Sequence, residues 1–284
     1  MSTPSRPPVV DTHNHFWDIE RSELYWLQPT PETAPLRRSF TPPDLKPQMD
    51  EVGVERSVII QAASSRWDNL WWLGLTEEYP YVSAVIGWVD LERPDVGAAL
   101  DEYRAHPAFR GVRATAEDVD DPDWIARPEV RRGIGEVASR GLVLDLLVRT
   151  PHLRHVPSLA SEFPDLPMVI DHLAKPAIES GALDEWYAGM EQVARETGAW
   201  AKISGLLTEA GPDPTTERIR PVVAFALDEF GAGRLMWGSD WPVCTLAAPY
   251  VETYRTVTAA LDPLPDADRS AILGGNAVAF YSLR

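Results

Sequence analysis

Cysteine and long apolar runs are scarce in this sequence. Cys244 is the single cysteine among 284 residues, so no disulfide can form within the chain. No apolar run approaches the ~20 residues that a membrane-spanning helix needs. The opening MSTPSRPP is polar and proline-rich and lacks the apolar centre of a signal peptide. We therefore expect a cytoplasmic protein without a membrane partner.

Positive charge is also in short supply. The chain has 26 Lys and Arg residues against 43 Asp and Glu residues, which gives a formal net charge of −17. Nucleic-acid binding requires a basic patch to meet the phosphates, so we expect no nucleic-acid partner. A small-molecule substrate of either charge stays open, because a few local cations can override the global sign. The protein is expected to be a monomer or a homodimer, and its composition does not distinguish the two.

Short apolar runs with many β-branched residues recur along the chain. The runs cover residues 9–12, 54–61, 82–89, 109–115, 142–148, 167–171, 200–206 and 234–238. Such runs are typical of parallel strands buried on both faces. Helical patterns that often end in Gly or Pro separate them. We predict an α/β protein with a single (β/α)₈ barrel domain over residues 1–284, because eight strand–helix units suit a closed barrel.

An open, doubly wound sheet is the alternative architecture. A Gly-rich phosphate loop would then be expected after the first strand, and none is present there. Residues 18–43 fit neither architecture as a simple strand–helix unit, and they are too long for an idle connection. They follow the first strand, so they leave the face where barrel active sites lie. We expect this segment to be a lid over the barrel mouth, or else an ordered surface insertion.

The strongest candidates for catalysis are three histidines and one aspartate. His13 and His15 are two residues apart at the end of the first strand, so both side chains can point to the same side. Asp240 follows the last strand, which lies beside the first in a closed barrel, and it can accept a proton or bind a metal. His172 closes the sixth strand and can polarise a carbonyl oxygen. Structural hydrogen bonds or helix capping are the competing interpretations.

A second group of polar residues occupies or follows the middle strands. Arg113 ends the fourth strand and its planar fork suits carboxylates and carbonyls. Lys175 follows the sixth strand and can contact substrate. Asp145 and Lys202 lie inside strands, where they can bind substrate or pair in a core network. Asp171 should point away from the site if strand alternation continues through it.

Aromatic residues are plentiful, with 11 tryptophans. Trp17, Trp26 and Trp88 are candidates for stacking against a sugar ring. Stacking of this kind favours a neutral sugar as the ligand over a dicarboxylate, which would require more cations at the mouth. The remaining histidines fall in helices or at helix starts and are expected at the surface: His106, His152 and His155.

Several motifs together resemble the amidohydrolase superfamily across nearly the whole chain. They are DTHNHFW (11–17), GVR (111–113), DHLAKP (171–176), KISGL (202–206), GSDWPV (238–243) and GGNAVAFY (274–281). The resemblance is strongest to the lactonase group, which includes L-fuconolactone, L-rhamnonolactone and 2-pyrone-4,6-dicarboxylate hydrolases. It implies a deformed (β/α)₈ barrel.

The resemblance also implies roles for the candidate residues. Asp240 would activate the attacking water, His13 and His15 would hold a metal or the substrate, and His172 would bind the carbonyl oxygen. The chain departs from binuclear relatives, because Arg113 replaces a bridging Lys or Glu and the fifth strand, LVLDLLV, has no histidine. One divalent ion such as zinc on His13, His15 and Asp240, and metal-free catalysis, are both open.

The expected activity is hydrolysis of a sugar 1,4- or 1,5-lactone to the hydroxy acid. A carboxylated lactone of the pyrone-dicarboxylate or muconolactone type is the alternative substrate. A metal-dependent non-oxidative decarboxylase and a non-catalytic sugar-acid binding barrel are the alternative functions. The decarboxylase is disfavoured by the missing histidine on the fifth strand, and the binding protein by the presence of every acid–base group that hydrolysis requires.

Overall fold

Eight parallel strands form the centre of the protein. The computed structural model describes residues 6–283, and in it each strand pairs with the next in chain order. The strands are β1 (Val10–Asn14), β2 (Arg56–Ile60), β3 (Val82–Gly87), β4 (Phe109–Thr115), β5 (Val143–Leu147), β6 (Met168–Ile170), β7 (Trp200–Ile203) and β8 (Leu235–Trp237). Each lies within or overlaps one of the predicted runs, and the predicted barrel is confirmed.

Helices connect the strands and surround them. They are α1 (Pro42–Val52), α2 (Arg66–Glu78), α3 (Val96–Arg104), α4 (Pro128–Ala138), α5 (Val156–Glu162), α6 (Asp184–Glu196), α7 (Leu206–Glu209), α8 (Thr216–Phe230), α9 (Tyr250–Leu261), α10 (Asp266–Ser270) and α11 (Asn276–Phe280). Their buried faces and the outer faces of the strands form the larger apolar core. No helix within residues 6–283 is long and apolar enough to cross a membrane.

The junction between β1 and β8 closes the barrel just beyond the carboxyl ends of the two strands. Asn14 forms a parallel bridge with Trp241. The amide of Asp240 donates to the carbonyl of His13 at 2.7 Å, and the amide of His15 donates to the carbonyl of Trp241 at 2.7 Å. The hydrogen bonds that complete the barrel therefore also place Asp240 between the two histidines of β1.

A second apolar cluster fills the interior of the barrel. Its members include Val58, Ile86, Val169 and Met236 from the strands and Phe280 from α11. Because α11 and the residues after it pack against this cluster, the amino-terminal end of the barrel is closed. Open space within the barrel is left at the carboxyl ends of the strands.

The segment of residues 18–43 connects β1 to α1, and its last two residues already belong to α1. The base of this segment is fixed by an antiparallel bridge in which Trp17 and Phe40 exchange two backbone hydrogen bonds, at 3.1 and 2.9 Å. Further along, the indole of Trp26 donates to the carbonyl of Ala62 at 2.7 Å, and the Tyr25 hydroxyl donates to Asp118 at 2.8 Å. The segment is therefore attached to the loops that follow β2 and β4.

Candidate active site

A cavity of about 220 Å³ opens at the carboxyl ends of the strands. His15, Arg113, His172 and Asp240 form its polar floor, and Trp26 contributes from the segment above. Further residues complete the wall: Tyr25, Gln61, Ala62, Glu117, Asp118, Leu147, Lys175 and Val243. Most candidates for catalysis thus converge on one enclosed space, as parallel strand ends in a barrel do.

Asp240 is the point on which three imidazoles converge. Its Oδ1 lies 3.1 Å from Nε2 of His15, 3.7 Å from Nε2 of His13 and 3.8 Å from Nε2 of His172. Burial raises the pKa of Asp240, but the neighbouring histidines outweigh burial and hold that pKa well below its ordinary value. The carboxylate is therefore ionised at neutral pH and can accept a proton.

Backbone geometry holds Asp240 at this point. The residue has φ +63°, a left-handed conformation that side chains other than Gly, Asn and Asp rarely adopt. Its amide is fixed to β1, and its carbonyl accepts from the amide of Cys244 at 2.9 Å. Hydrogen bonds at its amide and its carbonyl thus hold Asp240 in this strained conformation, as the surrounding structure usually does for strained residues at functional sites.

The second nitrogen of each imidazole beside the carboxylate is held by a buried polar group. Nδ1 of His15, directly after β1, lies 2.9 Å from the carbonyl oxygen of Ile60, which can only accept, so Nδ1 carries a proton and Nε2 is the nitrogen that faces Asp240. Nδ1 of His13, within β1, lies 3.3 Å from Asp171 and 3.3 Å from the ammonium of Lys202. Burial lowers the pKa of His13 well below its ordinary value, although Asp171 raises it.

His172 begins an unusual stretch of backbone. Residues 172–175 all have φ between 49° and 59°, so the chain turns sharply after β6 and directs the imidazole into the cavity. Nδ1 of His172 lies 2.9 Å from the hydroxyl of Ser204. Burial lowers the pKa of His172 to about 4, although Asp240 raises it. The imidazole is therefore neutral at pH 7.

Gly205 supports His172 from below. A Cβ at this position would lie 2.7 Å from Nδ1 of His172, and the backbone has φ +62°. Both the space and the left-handed conformation require glycine here. The KISGL motif thus contributes one hydrogen bond and one close approach to the same imidazole.

Arg113 reaches the cavity from β4 and is held by a buried carboxylate. Its Nε donates to Oδ2 of Asp171 at 2.8 Å, and its Nη1 donates to the carbonyl of Gln61 at 3.0 Å. Nη2 lies 3.4 Å from Nε2 of His13 and 3.4 Å from Nε2 of His172. The Nη2 group of the fixed guanidinium therefore faces both histidines.

Asp171 was expected to point away from the site, and that expectation is wrong. Strand β6 ends at Ile170, so strand alternation does not extend to the next residue. The carboxylate of Asp171 instead contacts Arg113, His13 and the ammonium of Lys202, the last at 3.0 Å. It is fully buried, and attraction to these groups outweighs burial and lowers its pKa well below the ordinary value.

Lys202 and Asp145 lie below the cavity instead of at its wall. Both are fully buried and form an ion pair inside the barrel, and the hydroxyl of Tyr281 donates to Asp145 at 3.0 Å. Neither residue is among those that line the cavity, whereas Arg113 is. The structure thus favours the core-network interpretation of this pair.

The predicted aromatic residues are divided between the cavity and the core. Trp26 lines the cavity. Trp17 is fully buried and its indole donates to the carbonyl of Arg38 at 2.7 Å, because the chain leaves β1 before this residue and pairs with Phe40. Trp88 follows β3 outside the lining of the cavity. His152, expected at the surface, is buried, and its Nδ1 accepts from the amide of Arg149 at 3.0 Å.

Several lining residues were not found from the sequence. Glu117 and Asp118 follow β4 in a short 3₁₀ turn, and Tyr25 belongs to the segment above the cavity. The position of Glu117 just beyond a strand end was a usable signal, because barrel active sites draw on these loops. Gln61, directly after β2, carried the same signal.

His13, His15 and Asp240 suit a divalent metal ion. One ligand atom from each lies within 4.8 Å of the others. Nε2 of His15 lies 3.1 Å from the Asp240 carboxylate. In a neutral imidazole with its proton on Nδ1, both of these atoms are acceptors, so a proton or a cation must lie between them. The second nitrogen of each imidazole contacts an oxygen, which orients metal-binding histidines in known sites. Two histidines and one carboxylate are a typical catalytic zinc set.

The family profile described as Amidohydrolase matches residues 10–283, and the chain belongs to this family. The barrel, the histidines at the end of β1 and the aspartate after β8 agree with the motifs on which the predicted resemblance was based. The resemblance predicted from the motifs is confirmed.

Individual relatives place the chain within the lactonase group. An L-fucono-1,5-lactonase of Burkholderia ambifaria is 38% identical over 280 residues, which cover 96% of this chain and 95% of the relative. A 2-pyrone-4,6-dicarboxylate hydrolase of Comamonas testosteroni is 28% identical, covering 85% of this chain and 81% of the relative. A zinc-bound crystal structure of an amidohydrolase from Burkholderia multivorans is 31% identical, covers 98% of this chain and 100% of that one, and has a TM-score of 0.91.

Proposed function

We propose that the protein hydrolyses a monosaccharide 1,5-lactone to the corresponding hydroxy acid, as the name of its Burkholderia ambifaria relative indicates for that enzyme. The observation that carries the proposal is the position of Asp240. An ionised carboxylate and a fixed guanidinium lie together at the floor of the cavity, and both are within 4 Å of Nε2 of His172. A base and an electrophilic group in one cavity are the two elements that ester hydrolysis requires.

Asp240 is the proposed general base. It takes one proton from a water molecule while the water oxygen attacks the lactone carbonyl carbon. The tetrahedral intermediate collapses by breaking the bond between that carbon and the ring oxygen. Asp240 returns the proton to the departing ring oxygen, which becomes the hydroxyl of the product. The new carboxylic acid then loses a proton to solvent.

Arg113 is the proposed stabiliser of the oxyanion, with His172 beside it. The guanidinium is oriented by Asp171 and the Gln61 carbonyl before substrate arrives. Preorganised donors in a buried site stabilise developing charge without reorganisation. His172 is neutral and lies 3.4 Å from the same N–H, so the two residues define where the carbonyl oxygen binds.

We propose that one divalent ion, zinc by its ligand set, is held by His13, His15 and Asp240. When bound, such an ion polarises the ester carbonyl and lowers the pKa of a water molecule. The chain itself supplies the orientation of both imidazoles through Asp171 and the Ile60 carbonyl. Metal-free hydrolysis, with a protonated His15 bound to Asp240, is the competing arrangement.

Residues 18–43 are the proposed lid. Tyr25 and Trp26 line the cavity and attach the segment to the loops after β4 and β2. The indole of Trp26 offers an apolar face to a sugar ring, and the segment limits access of bulk water. Lys175, also at the wall, can contact hydroxyl groups of substrate.

The direct test is a lactone-opening assay. Purified protein is mixed with L-fucono-1,5-lactone in a weakly buffered solution containing a pH indicator, and acid release is followed against the spontaneous rate. A panel of aldono-1,4- and 1,5-lactones defines ring size and stereochemistry. We expect turnover well above the background for at least one 1,5-lactone. Absence of acid release from every lactone, with the protein folded and its metal content restored, would contradict the proposal.

A further inference from the structure

Glu117 occupies an unusual position at the cavity wall. It follows β4, and its side chain is only 13% exposed although it carries a carboxylate. Nζ of Lys175 lies 2.8 and 2.6 Å from its two oxygens. Arg149, which follows β5, contacts the same carboxylate at 2.6 Å. Glu117 therefore joins the loops after β4, β5 and β6 and accepts hydrogen bonds from two cations at once.

Cations that reach the cavity are already paired. Arg113 is bound to Asp171, and Lys175 is bound to Glu117. Within the part of the chain that the structure describes, the lining contains two cationic side chains and three carboxylates: Arg113 and Lys175 against Glu117, Asp118 and Asp240. A substrate that carries its own carboxylate would therefore meet a lining in which carboxylate side chains outnumber cationic ones.

We propose that Glu117 determines which charge of substrate the cavity accepts, so that neutral polyhydroxylated lactones are opened in preference to lactones that carry a carboxylate. This inference rests on the proposed lactonase function and adds the residue that sets its substrate class. Lys175 and Arg149 are suited to bind a substrate carboxylate, but Glu117 occupies both of them. Specificity of this kind depends as much on repelling the wrong ligand as on binding the right one.

The charge and burial of Glu117 strengthen this discrimination against carboxylated substrates. Burial raises the pKa of Glu117, but Lys175 and Arg149 outweigh burial and lower that pKa from its ordinary value, so the carboxylate is ionised. Like charges brought together at a partly buried wall repel far more than they do in water. The hydroxyl groups of a sugar, by contrast, can donate to the Glu117 oxygens without meeting repulsion.

Glu117→Gln is the decisive variant, because it preserves side-chain volume and removes the charge. The substrates are L-fucono-1,5-lactone and the analogous lactone in which a carboxylate replaces the C6 methyl group. We expect the wild type to favour the neutral lactone in kcat/KM. The variant should shift the ratio of the two kcat/KM values toward the carboxylated lactone by about tenfold or more.

Two controls separate this effect from others. Glu136→Gln makes the same change in a surface ion pair with Arg140 near the end of α4 and should leave the ratio unchanged. Asp118→Asn removes a carboxylate from the cavity wall but leaves Lys175 paired, so it should shift the ratio less than Glu117→Gln does.

The outcomes are distinct. If the wild type opens no lactone of the panel, the proposed function fails; if it opens another 1,5-lactone instead, that lactone and its carboxylated analogue replace the pair. If it opens both equally well, or if Glu117→Gln opens lactones but keeps the wild-type ratio, the function stands and the role of Glu117 is overturned. If Glu117→Gln does not fold, a wild type that opens both lactones equally well still overturns the role of Glu117.

Discussion

Nε of Arg113 donates to Oδ2 of Asp171 across 2.8 Å, and both side chains are buried. The two residues come from the ends of β4 and β6, and their hydrogen bond fixes the plane of the guanidinium. The Nη2 group is left to face His13 and His172. Asp171 thus acts on the site without reaching the cavity itself.

Arg113→Lys tests this orientation. A lysine retains the positive charge beside Asp171 but loses the second arm of the fork. We expect kcat to fall by about a hundredfold, with a modest change in melting temperature. Steady-state kinetics and circular dichroism are the measurements. Arg93→Lys, in an exposed ion pair with Asp95, is the matched control, and a wild-type kcat for Arg113→Lys would contradict the proposed role.

Asp240→Asn tests the general base. The amide has nearly the same shape and keeps the backbone hydrogen bonds of the residue, but it cannot take a proton from water. Turnover should fall to near background at every pH, while the melting temperature stays close to that of the wild type. If the variant opens lactone at a rate near normal, another residue must be the base.

Metal dependence is testable without relying on activity alone. We expect elemental analysis to find about one divalent ion per chain, and His15→Gln to lower that content because the variant removes one of three ligands. Dialysis against a chelator should reduce the rate, and added zinc should restore it. A fully active protein that contains no metal would instead support hydrolysis with a protonated His15.

Gly205→Ala tests the support of His172. The new methyl group would lie 2.7 Å from Nδ1 of His172, and a left-handed alanine costs about 1–2 kcal/mol. We expect the imidazole to be displaced and kcat to fall by about tenfold or more. Gly198→Ala is the control, because a Cβ there meets nothing within 4 Å. Equal kcat values for both variants would argue against this role.

Tyr25→Phe tests the lid. The variant removes the hydrogen bond from the hydroxyl to Asp118, which is exposed and should contribute only about 1 kcal/mol to stability. We expect KM to rise several-fold, with little change in kcat or melting temperature. An unchanged KM, together with unchanged protection of residues 18–43 from proteolysis, would indicate an inert surface insertion.

The barrel was predictable because its signal is repeated. Eight apolar runs with intervening helical patterns allow few architectures, so an error in any one boundary has little effect. The positions of His13, His15 and Asp240 followed from the barrel itself, since closure places the last strand beside the first. The cavity floor could therefore be assembled from motifs and topology alone.

Other parts of the site depend on where strands stop, which periodicity does not reveal. Asp171 was assigned to the wrong side because β6 ends one residue earlier and the chain turns into a left-handed stretch. Trp17 lies beyond the end of β1 and enters the core through its pairing with Phe40. Lys202 and Asp145 were recognised as charged strand residues, but only the three-dimensional structure gives their depth in the barrel.

The closure between β1 and β8 has a further consequence for how this protein loses activity. The amides of His15 and Asp240 bond across the seam of the barrel, so their hydrogen exchange should require opening of the whole structure. Displacing the base from the histidines means separating the seam. Heat inactivation and global unfolding should accordingly follow one curve, without a folded but inactive species between them.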